Sequence, residues 1–301
     1  MTTAIVKRLA LIRYYFNQGV RQASLIDPLN GFSILIFHDS IELFLNLICE
    51  INDVKVPGNF MEYWDVINRK TTPKELTYKS PMEKLNKARV GFKHHGIIPS
   101  KADVESFKVI TENFFNENSL LFFNIEFGKI SLTNLISYKR AKENLKKSEA
   151  TFEKGTIDES ITYLTKAYAY LILDYESNKR DLTYRSPFQI GDHVHGAFRF
   201  SNKVDPEIRR YFDSIANSIT RIQETLHLVT LGIDYKQYIK FSTFIPKILR
   251  TTDDEVFIGQ VEIKSITPVD FDFCRNFIIE TALKFQEFDF DLKGIEFFTF
   301  K

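Results

Sequence analysis

GFSILIFHDSIELFLNLICE, residues 31–50, is apolar almost all the way round a helix of 3.6 residues per turn. Ile34, Phe37, Ile41, Phe44 and Ile48 form one stripe, with Leu43 and Leu47 behind it. A surface helix carries its apolar residues on one side only, so this pattern predicts a central, buried helix and further helices around it. Composition points the same way. Twelve glycines and nine prolines in 301 residues are few for an all-β architecture, which needs frequent turns. A chain with 44% hydrophobic and 26% charged residues can bury a substantial core in one large or two medium domains. The 29 phenylalanines belong first to that core, because each ring buries a large apolar surface.

Outward from the central helix, Ser80-Pro81-Met82-Glu83 reads as a helix start. Ser caps, Pro suits the first turn and Glu completes a capping box. This helix runs towards His94 and stops at Gly96. Another begins at Ser100 to Asp103 and carries Val104, Phe107, Ile110 and Phe114 at helical spacing. The pattern breaks at FGKIS, residues 127–131, which sets a domain boundary between 1–130 and 131–301.

In the second part, residues 131–153 and 156–178 read as a helical hairpin over 131–178, with Gly155 at the turn and Thr156 and Glu159 as a capping box. It is comparable to a single tetratricopeptide-like hairpin, but no repeat at ~34 residues follows, so a solenoid is not supported. Residues 181–203 read as a long loop. Asp205-Pro206-Glu207 restarts a helix extending to about Leu231. VFIGQVEI, residues 256–263, has strand character and suggests a small element near 241–263. Asp270 is placed to cap a last helix with Phe273, Phe277, Ala282 and Phe285. The expected fold class is mainly α: a helical bundle followed by a second helical domain with a small C-terminal β element.

Several function classes lack support. There is no Gly-rich phosphate loop, GxSxG elbow, HExxH or CxxC pair. No cofactor is expected. Asp192-His193-Val194-His195 puts two histidines at alternate positions, but no third or fourth zinc ligand is evident nearby, and no metal is expected. A formal charge of +1 argues against a broad electrostatic grip on nucleic acid, so any RNA contact must come from a local basic cluster. Cys49 and Cys274 sit far apart in apolar runs, as buried free thiols of a reducing compartment would. The N-terminus MTTAIVKRLALIRYYF interleaves basic and apolar residues and does not read as a signal peptide. No uninterrupted apolar run approaches ~18 residues. The expectation is a cytoplasmic protein without a membrane partner.

The stretch that points to chemistry is LNKARVGFKHHG, residues 85–96. Arg89 falls between Met82, Leu85 and Phe92, in the middle of the expected buried face. A guanidinium there is costly unless an acid, a carbonyl or a bound phosphate receives its donors. The central helix has a matching oddity, since His38 and Glu42 share one line within its apolar surround. The expectation is that Glu42, with His38, faces Arg89 across the core.

These residues resemble the HEPN superfamily, whose ribonuclease members carry an Arg, four to six residues and a His near the end of a helix. Arg89 to His94 fits with four intervening residues and His95 with five; the resemblance spans roughly residues 1–130. The position after Arg is commonly polar in that family and is Val90 here. The resemblance implies a HEPN-like helical bundle, a homodimer in which two motifs share a cleft, and metal-independent cleavage of RNA. His94 would then move protons as a 2′-hydroxyl attacks the adjacent phosphodiester. Arg89 would hold the phosphate with Lys93 as a second cation, and Glu42 would orient Arg89. His95 and His38 are secondary candidates. Such enzymes serve as toxins or anti-phage defence effectors, with a regulatory protein partner or antitoxin. The alternative is a non-catalytic helical module for binding or dimerisation, in which Arg89 and Glu42 are a structural ion pair and the histidines complement the helix dipole. Arg221 and His227 have the same kind of spacing and raise the idea of a degenerate second copy.

Overall fold

The structure, a computed structural model, describes residues 2–180, 186–192, 205–246, 248–250, 256–258 and 266–290. It is mainly helical, and its contacts divide it into two units, Met1–Leu135 and Ile136–Lys301. The first unit contains α1 (Thr3–Ala23), α2 (Ser33–Ile51), α3 (Glu62–Thr71), α4 (Lys79–His95) and α5 (Lys101–Phe123). The second contains α6 (Lys139–Glu153), α7 (Ile157–Ser177), α8 (Pro206–Thr230), α9 (Tyr235–Ser242), β1 (Ile248–Arg250), β2 (Val256–Ile258) and α10 (Pro268–Glu287). β1 and β2 pair antiparallel with Leu249 opposite Phe257. His193 and His195 lie outside the described residues, as do most of 181–203 and the remainder of VFIGQVEI.

In the first unit α2 packs against α1, α4 and α5. Ile34, Phe37, Ile41, Phe44, Leu47 and Ile48 are fully enclosed, whereas Leu43 is 41% exposed, so α2 is covered on most sides but not all. Phe44 meets Phe114, Phe115 and Phe123 edge-on, the arrangement ring quadrupoles favour. α1 approaches α2 closely at Gly19, where a Cβ would stand 2.7 Å from the Phe37 ring. The segment Leu29–Ile51 is long and apolar enough by length and composition to cross a bilayer, with 61% of its most apolar window buried within the structure.

The start of α4 is fixed from outside the helix. The Asn118 side chain, buried on α5, accepts from the Thr77 N–H at 3.2 Å and donates to the Thr77 Oγ1 at 2.9 Å. The Trp64 indole N–H donates to the Thr77 carbonyl at 2.9 Å. Tyr78 then takes a left-handed conformation, with φ 63°, and α4 begins at Lys79. Ser80 is therefore inside the first turn and does not cap the helix, contrary to the expectation from SPME. At the other end Gly96, with φ 67°, closes the helix: its N–H reaches the Phe92 carbonyl and that of Ile97 the Gly91 carbonyl. The Ser100 and Asp103 side chains form a reciprocal capping box at the start of α5.

In the second unit α6 and α7 form a hairpin held where Ser148 and Ser160, both buried, donate to each other's carbonyls at 2.8 and 2.9 Å. α6 starts at Lys139, later than the hairpin expected from residue 131, because a 3-10 turn over Leu132–Leu135 packs on α1 in the first unit. Thr156 is not a side-chain cap; its hydroxyl donates to the Thr151 carbonyl across the turn. Thr267, not Asp270, caps α10. Tyr168 of α7, Phe241 of α9 and Phe277 of α10 meet in an aromatic cluster.

Candidate functional site

α2 and α4 bring polar residues together on the first unit. His38 is 2% exposed, and its ring lies 4.1 Å from that of Phe60. Its Nε2 stands 3.1 Å from the Asn86 Oδ1 on α4. Since a carboxamide oxygen only accepts, this contact places the ring proton on Nε2. Nδ1 is left buried without a hydrogen-bond partner, 3.5 Å from the Asp39 Oδ1 and 4.0 Å from the Glu42 Oε2.

Arg89 is half-buried on α4, with its Nε enclosed and lacking a hydrogen-bond partner. It makes no direct ion pair among the described residues, so the Arg89–Glu42 pairing expected from spacing is absent. Its charge acts on Asp39. The nearby His38 ring is the largest influence holding the Asp39 carboxyl below the ordinary carboxylate range; burial opposes this, and the charges of Arg89 and Lys93 add to it. Tyr15 of α1 completes that side, its hydroxyl raised by burial and then by Asp39. Tyr63 of α3 donates to the Asn46 Oδ1 at 2.6 Å, and burial with the Glu42 charge pushes its hydroxyl up to about 12.

The candidates taken from sequence therefore separate into two groups. Arg89 and Lys93, four apart, share a face of α4 with Asn86. His94 and His95 are exposed in the last turn. At 100° per residue they are roughly 140° and 120° round the axis from Arg89. No family model, curated protein or solved structure matches this chain. Its chemistry must be argued from the site alone.

Sequence reasoning missed Asp39, Asn86 and Tyr15. The signal for Asn86 was present, because 86, 89 and 93 follow the three-then-four spacing of one helix face. Among the described residues His38, Asp39 and Glu42 are suited to hold a cation, with ligand atoms all within 4.8 Å of one another. In the second unit, His227 pairs with the buried Glu176 of α7 and lines a cavity with Gln189, Asp192 and Gln223. Arg221 lines a different one with Arg210, Asp213 and Asn217, so the two residues do not face a common site. Burial raises the Cys49 thiol to about 11 and the Cys274 thiol to about 12, which leaves neither as a ready nucleophile.

Proposed function

We propose that the chain is a HEPN-type endoribonuclease, acting without a metal as a homodimer in the cytoplasm and serving as a toxin or anti-phage effector. The observation that supports it is Arg89, a half-buried cation with an enclosed, unpartnered Nε, on the same face as Lys93. Such a pair is suited to the oxygens of a phosphodiester, which would supply Nε with the acceptor that no described residue gives it. Asp39 takes the orienting role first given to Glu42, since the Arg89 charge acts on it. His94, exposed at the helix end, is the proton carrier. Because it diverges from Arg89, a shared cleft is completed by the second copy, so that one protomer's imidazole serves a phosphate held by the other. The second unit regulates the site or recruits a partner protein.

The test is cleavage of mixed tRNA and mRNA in EDTA by the wild type, Arg89→Ala and His94→Ala. The expected outcome is cleavage with 2′,3′-cyclic phosphate ends by the wild type and a loss of about 100-fold or more in each variant. Undiminished cleavage by both variants would sink the assignment.

A second reading, a non-catalytic module for binding or dimerisation, is favoured by one feature. Phe32, packed edge-on against Phe92 at 5.1 Å, is exposed together with Ile97 and Ile98 beside the end of α4. Apolar side chains grouped in this way suit a protein interface. RNA retained without cleavage, and released by Arg89→Ala, would support this reading over the first.

A further inference from the structure

His38, Asp39 and Glu42 bring three cation-ligating atoms within 4.8 Å of one another. Its Nε2–H is committed to Asn86, so the Nδ1 lone pair is directed into a space shared with the carboxylates of Asp39 and Glu42. Three ligand atoms thus converge, and Nδ1 is enclosed without a hydrogen-bond partner. Bringing acceptors together at a buried atom is costly unless a cation joins them. A metal ion bound by all three would do so.

The geometry points to a divalent transition-metal site formed by His38 Nδ1, Asp39 and Glu42, and we propose that it takes a borderline cation such as Zn²⁺ or Co²⁺. Ligands at roughly 2.0–2.2 Å from a tetrahedral ion stand about 3.4 Å apart. The 3.5 Å from Nδ1 to Asp39 meets that spacing, and the 4.0 Å to the half-exposed Glu42 closes with a small side-chain movement. One imidazole with two carboxylates is a nitrogen and oxygen set suited to Zn²⁺ and its first-row neighbours, whereas Ca²⁺ and Mg²⁺ prefer oxygen alone. The Asn86 contact is the outer support that a metal-bound imidazole normally has, a carbonyl oxygen on its other N–H that fixes tautomer and ring orientation. Three protein ligands leave a fourth position open to solvent through the exposed side of Asp39 and Glu42. Arg89 and Lys93 oppose a bare dication there and favour an anion in that fourth position. The inference does not rest on ribonuclease activity.

The test is calorimetric titration of the full chain, stripped with EDTA and dialysed, with ZnCl₂ or CoCl₂, together with the visible absorption of bound Co²⁺ and the thermal midpoint. The expected result is one cation per chain, a raised midpoint and Co²⁺ bands of a low-symmetry site. Glu42→Gln, at a half-exposed position that leaves the core intact, lowers affinity at least 10-fold, as does Asp39→Asn. Asn86→Ala lowers it about 10- to 100-fold by releasing the ring. The double variant His94→Ala, His95→Ala binds as the wild type does, which separates the site from the exposed histidine pair. Absence of saturable binding by either ion would overturn the proposal. So would binding that is unchanged in Glu42→Gln and Asp39→Asn.

Discussion

Arg89 combines a desolvated Nε with the absence of a direct ion pair among the described residues, and these have opposite consequences for stability and for ligand binding. An enclosed donor without an acceptor costs about 1–3 kcal/mol. Replacement by Met, which keeps the length of the stem, is therefore expected to leave the unfolding free energy within about 1 kcal/mol of wild type or above it. The same variant should lose RNA cleavage, so denaturant unfolding and cleavage measured side by side separate the two roles. A structural ion pair would instead give a loss of about 3 kcal/mol or more. That Arg89 turns inward was legible in the sequence, since Met82 and Leu85 fix the buried face of α4. Its acid was not. Four-residue spacing selects Glu42 as the partner of His38, but that Arg89 acts on Asp39 follows from the placement of α4 against α2, and no periodicity within one helix encodes that.

For the helices, the close approach of α1 to α2 sets the firmest constraint. Gly19→Ala gains roughly 1 kcal/mol of helix propensity. The new methyl, however, meets the Phe37 ring at 2.7 and 2.8 Å, and Phe37 is fully enclosed and cannot swing aside. Overpacking of this kind costs about 1–3 kcal/mol, so the expected outcome is a net loss of stability, read as a lower denaturant midpoint with an unchanged slope. The interior of α2 could be read from its stripe because burial follows the 3.6 period. Helix ends were less legible. Ser80 and its neighbours have the residues of a cap, yet Thr77, held by Asn118 and Trp64, fixes a start with Tyr78 at the N-cap, two residues before Ser80. Asn118 is remote in sequence, and nothing local announces it. Ser100 and Asp103, by contrast, satisfy each other within one turn, and there the local pattern was sufficient.

Across the molecule, the division after Leu135 separates a unit with its own enclosed aromatic core. A fragment of residues 1–135 is expected to fold alone with a cooperative thermal transition followed by circular dichroism. A fragment ending at 130 should melt at a lower temperature, because it lacks the buried Leu132 and Thr133 of the turn that packs on α1. Equal midpoints would mean that this turn adds nothing to the first core. The break at FGKIS marks where regular helix ends, but not which core the residues after it join, since that depends on contacts with a helix more than a hundred residues earlier.

The anchoring of Thr77 by residues from α3 and α5 has a consequence for local opening. Although Thr77 precedes α4 and belongs to no helix, its amide is released only when α5 separates from it. In hydrogen–deuterium exchange that amide should be protected to the same degree as the interior of α5, a slow-exchanging position within a loop. Asn118→Ala should return it to the rapid exchange of an unanchored connection.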